Sequence, residues 1–453
     1  MSVPAYERYR DSGVEWLGEV PSHWGVRRLK HIADVYPSNV DKKSQEGEIA
    51  VRLCNYTDVY YNDVILDDPD FMVATATKDQ IDKFTLRAGD TIITKDSETA
   101  DDIAISAFVP RDLPGIVCGY HLSMVRPISG TSGAFIKRYF DSAFAKASFA
   151  VRANGLTRVG LGQYAVDNVE VPFPSLPEQT AIATFLDRET AKIDALMEEQ
   201  RRLIGLLKEK RQAVISHAVT KGLDPSVPMK DSGVEWLGEV PAHWTTCGLG
   251  FRYDVSLGKM LDEKRETGKL PSPYLRNTDV QWGKINIENL PEMDFSGDEI
   301  VRYGLVYGDL MVCEGGEVGR AAIWQGDLDR CFYQKALHRL RPHSSASEFP
   351  PFMYYILSAA AGLGVFSSAT SKATIAHLPA ESFRKYRFGF PPFSDQVKIA
   401  NFLDQQTFKI DALVAEALSA ELLLQERRSA LISAAVTGKI DVRGLVASET
   451  EAA

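Results

Sequence analysis

A stretch of the chain, Phe185-Leu186-Asp187-Arg188-Glu189-Thr190-Ala191-Lys192-Ile193-Asp194-Ala195-Leu196, returns 217 residues further on (185 to 402) as Phe402-Leu403-Asp404-Gln405-Gln406-Thr407-Phe408-Lys409-Ile410-Asp411-Ala412-Leu413. A second pair of segments stands at nearly the same offset, 220 residues (11 to 231). Asp11-Ser12-Gly13-Val14-Glu15-Trp16-Leu17-Gly18-Glu19-Val20-Pro21-Ser22-His23-Trp24 is repeated from Asp231 to Trp244, with only Ser22 changed, to Ala242. Solenoid repeats are far shorter, roughly 20–50 residues. The chain is therefore two homologous units in tandem.

Each copy of the first stretch opens a segment without internal proline, Glu178 to Thr220 and Asp395 to Thr437. Apolar residues recur there three and four apart, as on one face of a helix. A helix of about 43 residues would be roughly 65 Å long and cannot leave such a stripe in water; the simplest partner for each helix is the other. The stripe comprises Ile182, Phe185, Leu186, Ile193, Leu196, Met197, Leu203, Ile204 and Leu207 in the first helix, and Ile399, Phe402, Leu403, Ile410, Leu413, Leu424 and Leu431 in the second. A duplicated unit packing on itself through a pseudo-two-fold favours an antiparallel pair. Gly205 aligns with Leu422, and helices crossing at that level would let the small residue make room for the large one.

At 453 residues at least two cores are expected. Apolar and charged shares of 45% and 25% are those of an ordinary soluble globular protein. No window reaches the ~20 apolar residues of a membrane span, and Met1 to Arg8 lacks the apolar core of a signal peptide, so the expected location is the cytoplasm. The five cysteines (Cys54, Cys118, Cys247, Cys313, Cys331) are scattered and form no Cys-x-x-Cys pair, which argues against a disulfide framework or a structural zinc site. A net charge of −10 has the wrong sign for holding nucleic acid by bulk electrostatics, so any such binding must come from local basic patches.

In order, the expected parts are a turn-rich lead-in over 1–24, a globule over 25–176, a helix over 177–222, a linker and second lead-in over 223–244, a second globule over 245–393, a helix over 394–440 and a loose tail over 441–453. The lead-in, with its tryptophans, reads as a clasp onto the helices or as a surface for a partner. Within the first globule, Gly89 to Thr94 and Ile116 to Cys118 have strand character, whereas Phe135 to Phe149 is a helical patch. The fold class is α+β, with two mixed α/β globules and a long antiparallel two-helix coiled coil as spacer between them. Asn55-Tyr56-Thr57-Asp58-Val59 resembles Asn277-Thr278-Asp279-Val280, and Gly89-Asp90 matches Gly308-Asp309; elsewhere the globules diverge. Identical connectors with dissimilar globules imply one scaffold presenting two different binding surfaces. Pro177 suits the first helical position and Ser394 the cap of the second helix.

The lead-in, the helix starts Pro177-Glu178-Gln179 and Ser394-Asp395-Gln396, and the Phe-Leu-Asp-x-x-Thr-x-Lys-Ile-Asp-x-Leu motif at 185 and 402 together resemble the specificity subunits of type I restriction-modification systems, twice over and in the right order. Ser394-Asp395-Gln396 departs from the Pro-x-Glu-Gln usual in that family. The resemblance implies two target recognition domains, each reading one half of a split, asymmetric sequence in double-stranded DNA. It also implies two methyltransferase subunits (adenine N6) bound to the scaffold and, where a nuclease is present, two restriction/translocase subunits. By the same token this chain would hold no cofactor of its own: S-adenosylmethionine, and ATP and Mg2+ with a nuclease, would belong to the partners.

Base readout in the major groove needs side chains such as Arg, Asn, Gln and Lys. Candidates are Asn55, Lys95, Arg126, Arg152, Asn154, Thr157 and Arg158 in the first globule, and Arg276, Asn277, Arg320, Arg339, Lys372 and Thr374 in the second. For any single one, a solvated surface charge or a satisfied loop residue outranks a base contact. The loops Gly155-Leu156-Thr157-Arg158 and Ser371-Lys372-Ala373-Thr374 rank first, because they stand at equivalent points before the helices. Arg201, Arg202, Lys208, Lys210 and Arg211 on the first helix either track phosphates or face water.

No catalytic constellation assembles. Phe390-Pro391-Pro392-Phe393 lacks the polar first residue of the Asn/Asp-Pro-Pro-Tyr/Phe loop of amino-methyltransferases, and no phosphate-binding Gly-x-x-x-x-Gly-Lys-Ser/Thr loop exists. Gly315-Gly316-Glu317-Val318-Gly319 lacks a dinucleotide-site context, and Pro69-Asp70 lacks the acidic-x-Lys triplet of a nuclease. His23 and His243 read as packing residues beside tryptophans. The chain is thus expected to be a non-catalytic DNA-binding and assembly subunit; the rival readings are a protein- or glycan-gripping scaffold and a stand-alone methyltransferase.

Overall fold

The computed structural model describes residues 4–68, 70–260, 271–366 and 377–446. The chain forms two compact units, Met1–Gln200 with Ser419–Ala453, and Arg201–Leu418. Two long helices, Leu176–Lys221 and Phe393–Val436, each contribute one half to each unit. The second helix begins at Phe393, so Ser394 lies inside its first turn and is not its cap. Gly222 (φ +75°) and Gly438 (φ +73°) follow the two helix ends in the left-handed conformation that closes a helix.

The first unit is built on an antiparallel sheet in the order Ala33–Pro37, Leu122–Pro127, Thr91–Thr94, Ser106–Phe108. A mixed sheet stands beside it in the order Ile116–Cys118, Ile49–Cys54, Met72–Ala76. The second unit repeats both topologies, with Tyr253–Leu257, Leu337–Pro342, Leu310–Cys313, Ala321–Ile323 in the first and Phe332–Tyr333, Pro271–Leu275, Glu292–Asp294 in the second. The helical patch around Phe135 is two helices, Gly133–Phe140 and Ala143–Ala150, broken where Ser142 caps the second by accepting from the Ala145 amide. In each globule the first strand pairs with the last: Gly25–Arg28 with Glu170–Phe173, and Thr245–Gly248 with Arg387–Phe390.

The repeated motif residues tie each globule to its helix. Gln179 is fully buried; its amide accepts from the Ser132 N–H (2.8 Å) and donates to the Pro174 carbonyl (2.9 Å). Gln396 does the same with Phe349 (2.9 Å) and Pro391 (3.0 Å). Asp187 accepts from the Arg138 guanidinium (2.6 and 2.8 Å), whereas Asp404 accepts from the Tyr355 hydroxyl (2.6 Å). Thr190 and Thr407 each donate to the carbonyl four residues back at 2.7 Å, which satisfies a hydroxyl buried inside a helix.

The helix pairing is antiparallel within each unit. In the first, Ile182, Phe185 and Leu186 share a core with Ile432, Ala435 and Val436, while Asp194 meets Arg428 at 2.8 Å. In the second, Ile215, Ala218 and Val219 share a core with Ile399, Ala400 and Leu403, while Arg211 meets Asp411 at 2.8 Å. Each ion pair is the other with the two sequence copies exchanged, as a pseudo-two-fold duplication requires. Exposed pairs contribute about 0–1 kcal/mol, so they mark register more than they stabilise. Arg211, a candidate for tracking phosphate, is thus engaged by a carboxylate.

Of the expected packing residues, Ile182, Phe185, Leu186, Ile193, Ile399, Leu403 and Ile410 are buried and Leu424 is half-buried. Leu196, Leu203, Phe402 and Leu413 are exposed instead. A stripe at three- and four-residue spacing is wider than the seam between two helices, so its flanks remain in solvent. Leu422 is exposed.

One core histidine carries a pH prediction. His338 is fully buried, with Nε2 2.7 Å from the Leu378 carbonyl, and burial lowers its pKa to about 4. Unfolded, it titrates near its ordinary value of ~6.5, so between those values the unfolded state binds more protons. Stability should fall by up to about 3 kcal/mol as pH drops from roughly 6.5 to 4. Replacing His338 with Gln should flatten that part of a denaturant-unfolding pH profile; an unchanged slope would refute the assignment.

Candidate nucleic-acid interface

In the first unit the loop 154–160 is anchored at its base and projects at its tip. Asn154 and Gly160 exchange backbone hydrogen bonds (3.1 and 2.9 Å), and Val159–Gly160 pairs with Asp96–Ser97. Gly155, at φ +148°, has no room for a side chain, since a Cβ would stand 1.9 Å from the Arg158 carbonyl oxygen. The turn therefore holds Leu156, Thr157 and Arg158 out in solvent.

Arg158 turns back onto Asp96 (2.7 Å), whose other oxygen meets His121 Nδ1 at 2.7 Å. The Lys95 ammonium lies 4.4 Å from the Tyr120 ring centroid and donates to the Ser38 carbonyl (3.1 Å); burial pulls its pKa down. Asn55, Tyr56, Tyr120, His121 and Lys42 line one small cleft. Asn55 is placed by the turn it opens, in which the Asp58 carboxylate accepts its backbone N–H at 2.7 Å. Three of the candidates, Asn55, Lys95 and Arg158, are thus brought together, with Asn154 and Thr157 on the adjoining loop.

Arg126 and Arg152 are not part of this group. Arg126 makes a two-pronged pair with Asp90 (2.8 and 2.7 Å), a carboxylate that is 1% exposed, and this contact raises its pKa. Arg152 turns onto the Ser148 carbonyl (2.9 Å) and Glu170 (3.6 Å). Arg126 is structural, which corrects the sequence reading, whereas Arg152 stays half-exposed and simply lies apart from the cluster. The Arg126 pair explains the Gly-Asp landmark, because Asp309 holds Arg341 in the same way (2.7 and 2.6 Å).

In the second unit Asn277 and Arg320 come together. The guanidinium donates to the Asn277 backbone carbonyl (3.0 Å) and side-chain oxygen (2.9 Å), and the Asn277 amide donates to the Gly315 carbonyl (2.9 Å). Glu317 joins them, 3.4 Å from Arg320 and accepting from the Trp282 indole at 2.6 Å. Arg276 pairs with Asp279 in its own turn (2.8 and 2.9 Å). Arg339 is a further correction: it is 5% exposed and held by Asp254 (2.8 Å) and the Arg302 carbonyl (2.9 Å). Lys372 and Thr374 lie outside the described residues, as does Pro69 of the Pro-Asp pair.

The backbone ties of the two globules coincide while the side chains they carry differ. Lys95 N–H donates to the His121 carbonyl (3.1 Å) and its carbonyl accepts from Leu161 (2.8 Å); Glu314 makes the same two bonds with Ala336 (3.0 Å) and Leu378 (2.8 Å). Glu314 thus stands where the first globule has Lys95, Lys335 where it has Tyr120, and Ala336 where it has His121. Burial raises the Glu314 pKa. The sequence reading missed Tyr56, Asp96, Tyr120 and His121 in one globule, and Trp282, Glu314, Glu317 and Lys335 in the other. The signal available for the first set was Gly119-Tyr120-His121 directly after a strand, an aromatic and a titratable ring beside a glycine whose Cβ would stand 2.7 Å from the Cys54 carbonyl oxygen.

Two copies of one globule joined by paired helices and carrying unlike polar clusters define a DNA specificity-domain architecture. Residues 21–204 and 257–422 match the type I restriction modification DNA specificity domain, and the chain belongs to that family.

The chain is similar to the type I restriction enzyme EcoKI specificity subunit of Escherichia coli (strain K12), at 25% identity over 44% of this chain and 40% of that one. It is likewise similar to the putative MjaX specificity subunit of Methanocaldococcus jannaschii, at 22% identity over 52% of this chain and 53% of that one. The matched stretches thus span about half the length of these two relatives, or less. The StySPI specificity subunit of Salmonella potsdam is 23% identical over 72% of this chain and 68% of that one.

Among solved structures, the fold is shared with a chain from the type I R-M system studied for its complex assembly and conformational transition (TM-score 0.68, 19% identity, 93% of this chain and 99% of that one). It is also shared with the HsdS subunit from Thermoanaerobacter tengcongensis (TM-score 0.56, 17% identity, 93% and 98%). Among the described residues, no helix is long and apolar enough to cross a membrane.

Proposed function

We propose that this chain is the sequence-reading subunit of a type I restriction-modification complex, recognising a bipartite, asymmetric site in double-stranded DNA. The observation that carries this reading is the substitution of Glu314 for Lys95, Lys335 for Tyr120 and Ala336 for His121 at equivalent backbone positions. A cationic and a carboxylate side chain prefer different base edges, the first an acceptor such as guanine O6 or N7, the second a donor such as the cytosine amino group. Two such heads read two unlike half-sites.

On this reading the chain is non-catalytic and works in the cytoplasm. It positions two methyltransferase subunits that use S-adenosylmethionine to methylate adenine N6, and two restriction/translocase subunits that use ATP and Mg2+. The helix flanks support the partner part: Leu196, Leu203, Phe402 and Leu413, with Leu206, Phe408 and Leu423, are exposed apolar residues on otherwise charged helices, as surfaces that dock partners are.

The test is selection of randomised duplexes by the chain assembled with its methyltransferase subunits. Enrichment of two unlike half-sites, with retention falling steeply as salt rises, is the expected result. Palindromic enrichment, or none, would refute it, as would methyl transfer by this chain alone.

A further inference from the structure

The two lead-in clasps are not equally full. In the first unit Tyr6 is almost fully buried and donates its hydroxyl to Glu178 Oε1 at 2.8 Å, where the Trp24 indole also donates at 3.0 Å. Its ring meets Trp24 edge-on with centroids 5.6 Å apart, and the Arg443 guanidinium lies 4.9 Å above it. Glu178 is left 5% exposed.

The second unit has a similar clasp without the phenol, with the shorter Asp395 in place of Glu178. Trp244 is buried like Trp24, His243 Nε2 lies 3.3 Å from Asp395 as His23 Nε2 lies 3.2 Å from Glu178, and the chain path coincides, since Ala242 N–H donates to Pro228 (2.8 Å) as Ser22 N–H does to Arg8 (2.9 Å). Tyr6, however, corresponds to Ser226, which is exposed and bonded to Asp224 through its hydroxyl (2.6 Å) and its amide (2.9 Å). Where the phenol sits in the first unit, the second has a cavity of about 350 Å³, walled by Trp244, Pro241, Leu223 and Ile399, with Lys221 and Lys398 at its sides and Asp395 in its lining. Asp395 is 34% exposed there.

We propose that this cavity is a binding site for a tyrosine side chain of a partner polypeptide, with the phenol donating to Asp395 and its ring against Trp244. The filled copy supplies the template: an aromatic ring for the indole edge and a hydroxyl donor for the carboxylate. A ring lacking the hydroxyl would bury the carboxylate without a new donor, which is unfavourable. Lys398 pairs with Asp395 at 3.6 Å, and the Lys221 ammonium donates to the Glu239 carbonyl. Both place positive charge beside the cavity, which favours an acidic residue next to the tyrosine, as in Ala5-Tyr6-Glu7. The proposal rests on this geometry alone and is independent of DNA reading.

The probe is acetyl-Ala-Tyr-Glu-amide titrated calorimetrically into the full chain, with acetyl-Ala-Phe-Glu-amide as control. Saturable binding is expected, at least fivefold weaker for the phenylalanine peptide. Ser226→Tyr, which fills the cavity as Tyr6 fills its counterpart, should abolish it, and Asp395→Ala should abolish it independently, so one misfolded variant does not leave the question open. Absence of saturation, equal binding of both peptides, or binding unaffected by Asp395→Ala overturns the proposal. Displacement by peptide of a dimer of this chain would also overturn it, making a second copy the occupant.

Discussion

Replacing Lys95 with glutamate together with Arg158 with alanine is expected to weaken recognition of one half-site by about a hundredfold or more, and to leave base preference at the other half unchanged. Each base-edge contact contributes about 1–3 kcal/mol. The exchange also places at position 95 the carboxylate that the second globule carries as Glu314, so that on the proposed reading a hydrogen-bond donor is replaced by an acceptor. Arg158 is held by Asp96 at 2.7 Å and Lys95 lies over Tyr120, so both cations are oriented before DNA arrives and little ordering cost offsets their loss. The measurement is duplex selection by sequencing with wild type and variant in parallel. If both halves lose preference equally, the two side chains act on phosphates and not on bases; if neither does, the cluster is not the reading surface.

The largest stability effect should come from Asp90→Ala, a loss of about 3–5 kcal/mol. Asp90 is 1% exposed, takes both prongs of Arg126 (2.8 and 2.7 Å) and accepts the Arg87 N–H at 2.8 Å. Removing it strands a guanidinium that is only 19% exposed. Because most of that penalty is the stranded charge, a double replacement, Asp90→Ala with Arg126→Met, should recover more than half of the loss in a thermal or denaturant melt. A double variant no more stable than the single one would show that the carboxylate acts through its backbone bond alone.

These two residues also show where sequence reading stops. The duplication, the long helices and the mixed globules were legible because connectors repeat almost letter for letter and the apolar spacing is helical. The Gly-Asp landmark was visible too, but its meaning was not. Arg126 was placed among the readers because a sequence shows that an arginine is present and not that Asp90 faces it across the sheet; Arg339 was misplaced for the same reason. Gln179 and Gln396 were taken as marks of a helix start, although their amides are spent on the globule beside them. Asp187 and Asp404 sit in one motif yet take an arginine and a tyrosine, and a partner that changes chemistry between copies leaves no repeated pattern to read. The helix stripe told which residues are apolar, not how wide the seam is, so Leu196 and Leu413 were assigned to it and lie outside.

The strand pairing at the base of each globule bears on how such a chain can change its target. Gly25–Arg28 and Glu170–Phe173 lie side by side, so the polypeptide leaves and rejoins the scaffold through one doorway of fixed width. Whatever is spliced in above that doorway must end in two strands of matching register and present partners to the helix where Ser132 meets Gln179 and Arg138 meets Asp187. On the proposed reading, a new recognition specificity could thus arise by exchange of a single cassette that keeps this doorway together with the few globule side chains that face the helix.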